Sequence, residues 1–68
     1  MFTIGDLIDQ VEVQGIVRIN KIQGDDIIPV YETGDGLYYT NETEKFMNKE
    51  IKYMYASTIG LVIEYEED

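Results

Sequence analysis

Carboxylates and phenols are the reactive groups this chain offers in number. It holds 14 Asp and Glu residues and 6 Tyr, with no His and no Cys. A carboxylate pair can do general acid–base work if one member lies in a dry cleft that raises its pKa. The acids here fall on turns, caps and the polar faces of strands, where water keeps them ionised. Without His or Cys, no Ser-His-Asp or Cys-His arrangement can be built. The usual zinc ligand sets are missing for the same reason. Ser57, the sole serine, sits in an expected turn and lacks a histidine partner. Asp25, Asp26 and Asp35 lie in Gly-containing turns, and hard cations such as calcium take oxygen ligands of this kind. Their spacing does not match a calcium-binding EF-hand loop, and turn chemistry accounts for them. The TGDG stretch at 33–36 is too short for a phosphate-binding glycine loop. The reading is therefore a non-enzyme with no catalytic residue, no cofactor and no metal.

The tyrosines point elsewhere. Tyr31, Tyr38, Tyr39, Tyr53, Tyr55 and Tyr65 all fall in or beside expected strands. A strand tyrosine can bury its ring while its hydroxyl stays wet, and this accounts for most of them. Tyrosine is also enriched at protein interfaces, so a patch ringed by carboxylates would make a docking face. The last eight residues, LVIEYEED, place Glu64, Glu66 and Asp68 on one side of an extended chain. Their carboxylates would then be spaced by roughly 6–7 Å. Such a row imitates nucleic-acid phosphates, and it is equally the look of a frayed, solvated end. The candidate partner-binding residues are Tyr53, Tyr55, Glu64, Tyr65, Glu66, Glu67 and Asp68.

The elements that must position these groups are short. Thr3 and Asp6 form a variant capping box, with Phe2 and Leu7 as a staple, and Ile4, Leu7, Ile8 and Val11 share a helical face. This predicts a helix over about 4–10. From Val11 the period becomes two, and Val11, Val13, Val17 and Ile19 align on one face of an expected strand. QGDD at 23–26 is a turn, and Ile27–Glu32 should pair back as a hairpin. Pro29 cannot donate to a ladder, which marks an edge strand. Leu37–Tyr39 reads as a short third strand. Asn41 and Glu44 signal a second cap, opening a helix over about 42–48 anchored by Phe46 and Met47. Ile51–Ala56 and Leu61–Tyr65 should form a C-terminal hairpin joined by STIG. On its last strand Leu61, Ile63 and Tyr65 face one way, and Val62, Glu64 and Glu66 the other. On the preceding strand Ile51, Tyr53 and Tyr55 share one face, and either face could point inward. The fold class is α+β: a small antiparallel sheet of 4–5 strands with two short helices, in the order α-β-β-(β)-α-β-β.

Length and charge set the remaining bounds. Sixty-eight residues make one domain, 1–68, with residues 66–68 expected as a frayed acidic tail. A 44% hydrophobic content supports a core, though a small one. The net charge of -9 argues against direct nucleic-acid binding, which calls for clustered Lys and Arg. It favours a partner with a basic surface, steered in by charge. No stretch approaches the roughly 20 apolar residues of a membrane span. The opening MFTIGDLIDQ has no basic segment followed by a long apolar run, so a cytoplasmic protein without a membrane partner is expected.

The segments TIGDLIDQVEVQGIVRI, KEIKYMYAS and LVIEYEE resemble those of small acidic proteins carried by phages and conjugative elements of Gram-positive gut bacteria. The resemblance covers about half of the chain. It implies a compact α+β domain in a mobile-element setting, and no activity or functional residue. The functional expectation is a protein-interaction module, with an acidic inhibitor or partial nucleic-acid mimic as its sharpest form. The alternative is an assembly domain that forms a homo-oligomer.

Overall fold

In the computed structural model, which describes residues 1–67, the first helix begins where its capping residues place it. Helix α1 spans Ile4–Gln10. The Asp6 amide donates to Thr3 Oγ1 at 3.0 Å, and the Thr3 amide donates to Asp6 Oδ2 at 2.9 Å. The next orphan donors find partners far along the chain. Ile4 N–H donates to the Lys49 carbonyl and Gly5 N–H to the Met47 carbonyl, both at 3.0 Å. That approach needs glycine, because a Cβ at position 5 would stand 2.9 Å from the Met47 oxygen. Seven residues of helix are too few to persist alone, so these long-range bonds and the burial of Ile4 and Leu7 hold α1 in place.

Four strands make one sheet: β1 (Val17–Gln23), β2 (Asp26–Thr33), β3 (Ile51–Ser57) and β4 (Gly60–Glu66). Their order is β2-β1-β4-β3. Both hairpins are antiparallel as expected, but the central pair, β1 and β4, is parallel. The sheet is therefore mixed, not antiparallel. The parallel pairing arises because the connection from β2 to β3 crosses from one edge of the sheet to the other, which brings the second strand of the second hairpin against the first strand of the first. Pro29 does lie on an edge strand, β2. Gly60 ends the β3–β4 turn at φ +136°, and a Cβ there would collide with the Ile16 carbonyl.

Three expected elements are smaller than their patterns suggest. Residues 11–16 do not extend β1. They form an arm that pairs with the crossover, Leu37 N–H donating to the Val13 carbonyl at 2.9 Å and Gly36 N–H to Gly15 at 2.8 Å. The third strand at 37–39 is accordingly reduced to the isolated bridge between Val13 and Leu37. The second helix is a single 3-10 turn, Glu44–Phe46. Its neighbouring carbonyls at Met47 and Lys49 are taken by the α1 amides instead of continuing a helix. Asn41 does not cap it: the N-cap is Thr43, without a side-chain capping bond, and in the preceding turn Thr40 Oγ1 accepts from the Glu42 and Thr43 amides. Buried Thr43 donates its hydroxyl to the Tyr38 carbonyl at 2.8 Å.

The core lies on one face of the sheet. Val17 and Ile19 of β1 and Ile63 and Tyr65 of β4 pack beneath α1, Val13, Leu37 and Phe46. Complete burial of a side chain such as Ile19 or Ile63 contributes about 1.5–3 kcal/mol. Among the described residues no element lies over the opposite face.

Candidate interaction face

The uncovered face takes the alternate residues of the central strands. β1 supplies Arg18, Asn20 and Ile22, and β4 supplies Val62, Glu64 and Glu66 opposite them. A β-bulge decides what β3 adds. Period two alone would put Ile51 and Tyr53 on one side. The register shifts between them, so Ile51 opposes Tyr65 and packs against the core while Tyr53 opposes Glu64 and Tyr55 opposes Val62. Lys52, the extra residue, absorbs the shift. The two tyrosines thus stand on the uncovered face, 54% and 47% exposed.

Glu64 is the unexpected member of this face. It is only 4% exposed, although no helix or loop covers it. Its Oε2 accepts from Asn20 Nδ2 at 3.0 Å and from the Tyr55 hydroxyl at 2.9 Å. Asn20 is itself 7% exposed, and its Oδ1 is buried without a hydrogen-bond partner. Bonding to the Glu64 carboxylate holds the Tyr55 hydroxyl above the usual phenol pKa, and partial burial and the Glu64 charge push the same way. One strand pair further on, Arg18 Nε and Nη2 both donate to Glu32 Oε1, at 2.9 and 2.7 Å. That pair is open to water and contributes at most about 1 kcal/mol.

The structure separates the seven candidate residues. Tyr53, Tyr55, Glu64 and Glu66 share the uncovered face. Tyr65 points into the core, 4% exposed, with its ring centroid 6.1 Å from that of Phe46. Burial, and then the Glu67 charge, raises its phenol pKa. Glu67 is tied down from two sides: its amide donates to the Ile22 carbonyl at 2.9 Å and its Oε2 lies 3.5 Å from Lys49 Nζ. Glu66 closes β4, so residues 66 and 67 are held by the sheet; Asp68 lies outside the described residues. The carboxylate row read from the sequence is therefore not a free one, because Glu64 is engaged within the face.

Asn20 is the residue that sequence reasoning missed. It reads as an ordinary polar position, and only the parallel register of β1 with β4 brings it to Glu64, 44 residues away. Among the described residues no group of three or more His, Cys, Asp or Glu is placed to hold a metal ion. Among the same residues no helix is long and apolar enough to cross a membrane. Comparison with protein-family models, with curated proteins and with solved structures finds no match for this chain.

Proposed function

We propose that this protein is a non-enzymatic interaction module whose uncovered sheet face docks on a basic surface of another protein. The observation that carries this reading is the pair of half-exposed tyrosines, Tyr53 and Tyr55, beside a carboxylate withdrawn from water. Tyrosines present large, rigid contact area with a polar tip. The chain's charge of -9 steers cationic surfaces toward that face and polyanions away. In its narrower form the module is an inhibitor that fills the anion-binding surface of a nucleic-acid-handling protein. Glu66 would supply free charge for this, with Asp68 beyond it. The mobile-element setting of this reading comes from the resemblance of the terminal segments.

The test is an NMR titration of the labelled chain with a lysine- and arginine-rich peptide and, separately, with duplex DNA. The peptide should shift amides of β3 and β4 around Tyr53, Tyr55 and Glu64, with affinity falling as salt rises. DNA should leave them in place. Peptide binding confined to α1 or the β2 turn would overturn the reading, as would tight binding of DNA.

A second reading has its own observation. β3 is a seven-residue edge strand, exposed along nearly all its length and free of acids. It is the one strand at which two copies of so acidic a chain can meet with little repulsion. Sedimentation across a concentration series separates the two. A stable dimer that Met54→Pro returns to monomer favours assembly, and a monomer at all concentrations favours docking.

A further inference from the structure

Asn20 and Glu64 present a problem in hydrogen bonding that the chain does not solve by itself. Both are more than nine-tenths buried, on a face with no element above it. Carboxylate oxygens serve as acceptors, so the amide nitrogen of Asn20 must be the atom turned toward Glu64. Its oxygen is then left buried with no donor. A stranded acceptor of this kind destabilises the fold unless something supplies a hydrogen. The cluster therefore sets an unused acceptor beside a carboxylate that already accepts two bonds, with two tyrosine rings at its rim.

The chain's own cations are placed elsewhere. Arg18 shares the face but gives two hydrogen bonds to Glu32. Lys49 lies against Glu67 and over the Tyr65 ring, and Lys45 lies over Phe46. Lys21 pairs in register with Tyr65, on the core side of β1, and Lys52 sits at the exposed bulge. Two further acids share the face: Glu32, which is engaged by Arg18, and Glu66, which adds negative charge next to the cluster.

We propose that the Asn20–Glu64–Tyr55 cluster is the seat of an arginine side chain presented by the partner. This inference rests on the docking reading and names the group that the face selects. A guanidinium is a flat fork of five donors, able to serve two neighbouring acceptors at once, and it stacks on aromatic rings. An ammonium is a hydrated point charge that matches neither feature well. Tyr55 is the gate. Its hydroxyl covers Glu64 Oε2, and turning its side chain aside exchanges a neutral donor for a charged one, which makes the stronger bond. The displaced Tyr55 ring and the Tyr53 ring then flank the guanidinium plane. Asn20 Oδ1 takes one of its remaining N–H groups.

The experiment compares two peptides of equal length and charge, alternating Gly-Arg and Gly-Lys, titrated against the full chain by NMR. The Gly-Arg peptide should bind about tenfold more tightly and shift the Asn20 side-chain amide and the Tyr55 ring. Asn20→Val removes the stranded acceptor without adding heavy atoms and should bring the two peptides to parity, with general charge attraction retained. Glu64→Gln should weaken the Gly-Arg peptide more than the Gly-Lys peptide. If Glu64→Gln does not fold, Asn20→Val alone carries the test. Equal affinities in the parent chain, or an arginine preference that survives Asn20→Val, would overturn the arginine seat and leave the docking face standing. Failure of both peptides to bind that face removes both.

Discussion

Glu64 and Tyr65 are adjacent in β4 and equally withdrawn from water, each 4% exposed, yet they are buried by different means. Tyr65 lies under α1, the 3-10 turn and the arm, in a layer built by the fold. Glu64 lies under side chains alone, with Tyr55 leaning over it and Asn20 beside it. The first kind of burial is apolar and closes when the chain folds. The second is polar, incompletely bonded and reversible by side-chain rotation. The packed apolar layer therefore resides on one face of the sheet, and the incompletely bonded polar pair resides on the other.

Mutations can break this contrast or sharpen it. The largest effect is expected on the core face. Ile63→Ala removes a fully buried side chain from the middle of the cluster and should lower unfolding free energy by about 2–5 kcal/mol in a urea titration. In so small a domain that loss should leave much of the chain unfolded. A loss below about 1 kcal/mol would mean that the face is not the packed layer described.

The uncovered face should respond in a different way, with an intermediate cost. Glu64→Leu leaves the Asn20 amide without its acceptor and should cost about 1–3 kcal/mol. Adding Asn20→Val to Glu64→Leu removes both members of the pair. The double variant should recover most of the loss or exceed the parent in stability, since apolar groups then replace an unsatisfied pair. It should also lose any arginine preference. Additive losses in the double-mutant cycle would show that Asn20 and Glu64 are not energetically coupled and would erase the contrast between the faces.

The smallest effect is a slope in strong base. Tyr55 and Tyr65 both have phenol pKa values raised above 10.0, Tyr55 chiefly by its bond to Glu64 and Tyr65 chiefly by burial. The folded chain therefore holds these protons to higher pH than the unfolded chain does. The associated stability is complete below the unfolded pKa and is lost as pH rises through the folded values. Thermal midpoints should fall as pH climbs past about 10. Tyr55→Phe should flatten part of that fall, and Tyr65→Phe another part. A parent midpoint that stays constant through this range would contradict both phenol environments.

What the sequence makes legible follows the range of the interactions. Thr3 and Asp6 act within one turn, so α1 is readable to the residue. The C-terminal hairpin and the edge position of β2 are also local, set by a turn and by Pro29. The parallel pairing of β1 with β4 is not local, and neither is the arm formed by residues 11–16, because both depend on where the crossover goes. The site inherits this limit. Tyr53 and Tyr55 are visible as strand tyrosines, but the bulge at Lys52 decides which way they face, and no local pattern marks it. The value of Asn20 appears only once the register places it beside Glu64.

The β1–β4 seam has a kinetic consequence. Each hairpin is assembled from neighbours in the chain and can close within microseconds. Joining them requires Val17 to find Leu61 and Asn20 to find Glu64, a loop of more than forty residues. That search governs the folding rate, as it does in other topologies rich in distant contacts. Until the seam zips shut there are two ribbons with bare inner edges, and neither the core nor the acceptor pair on its far side exists.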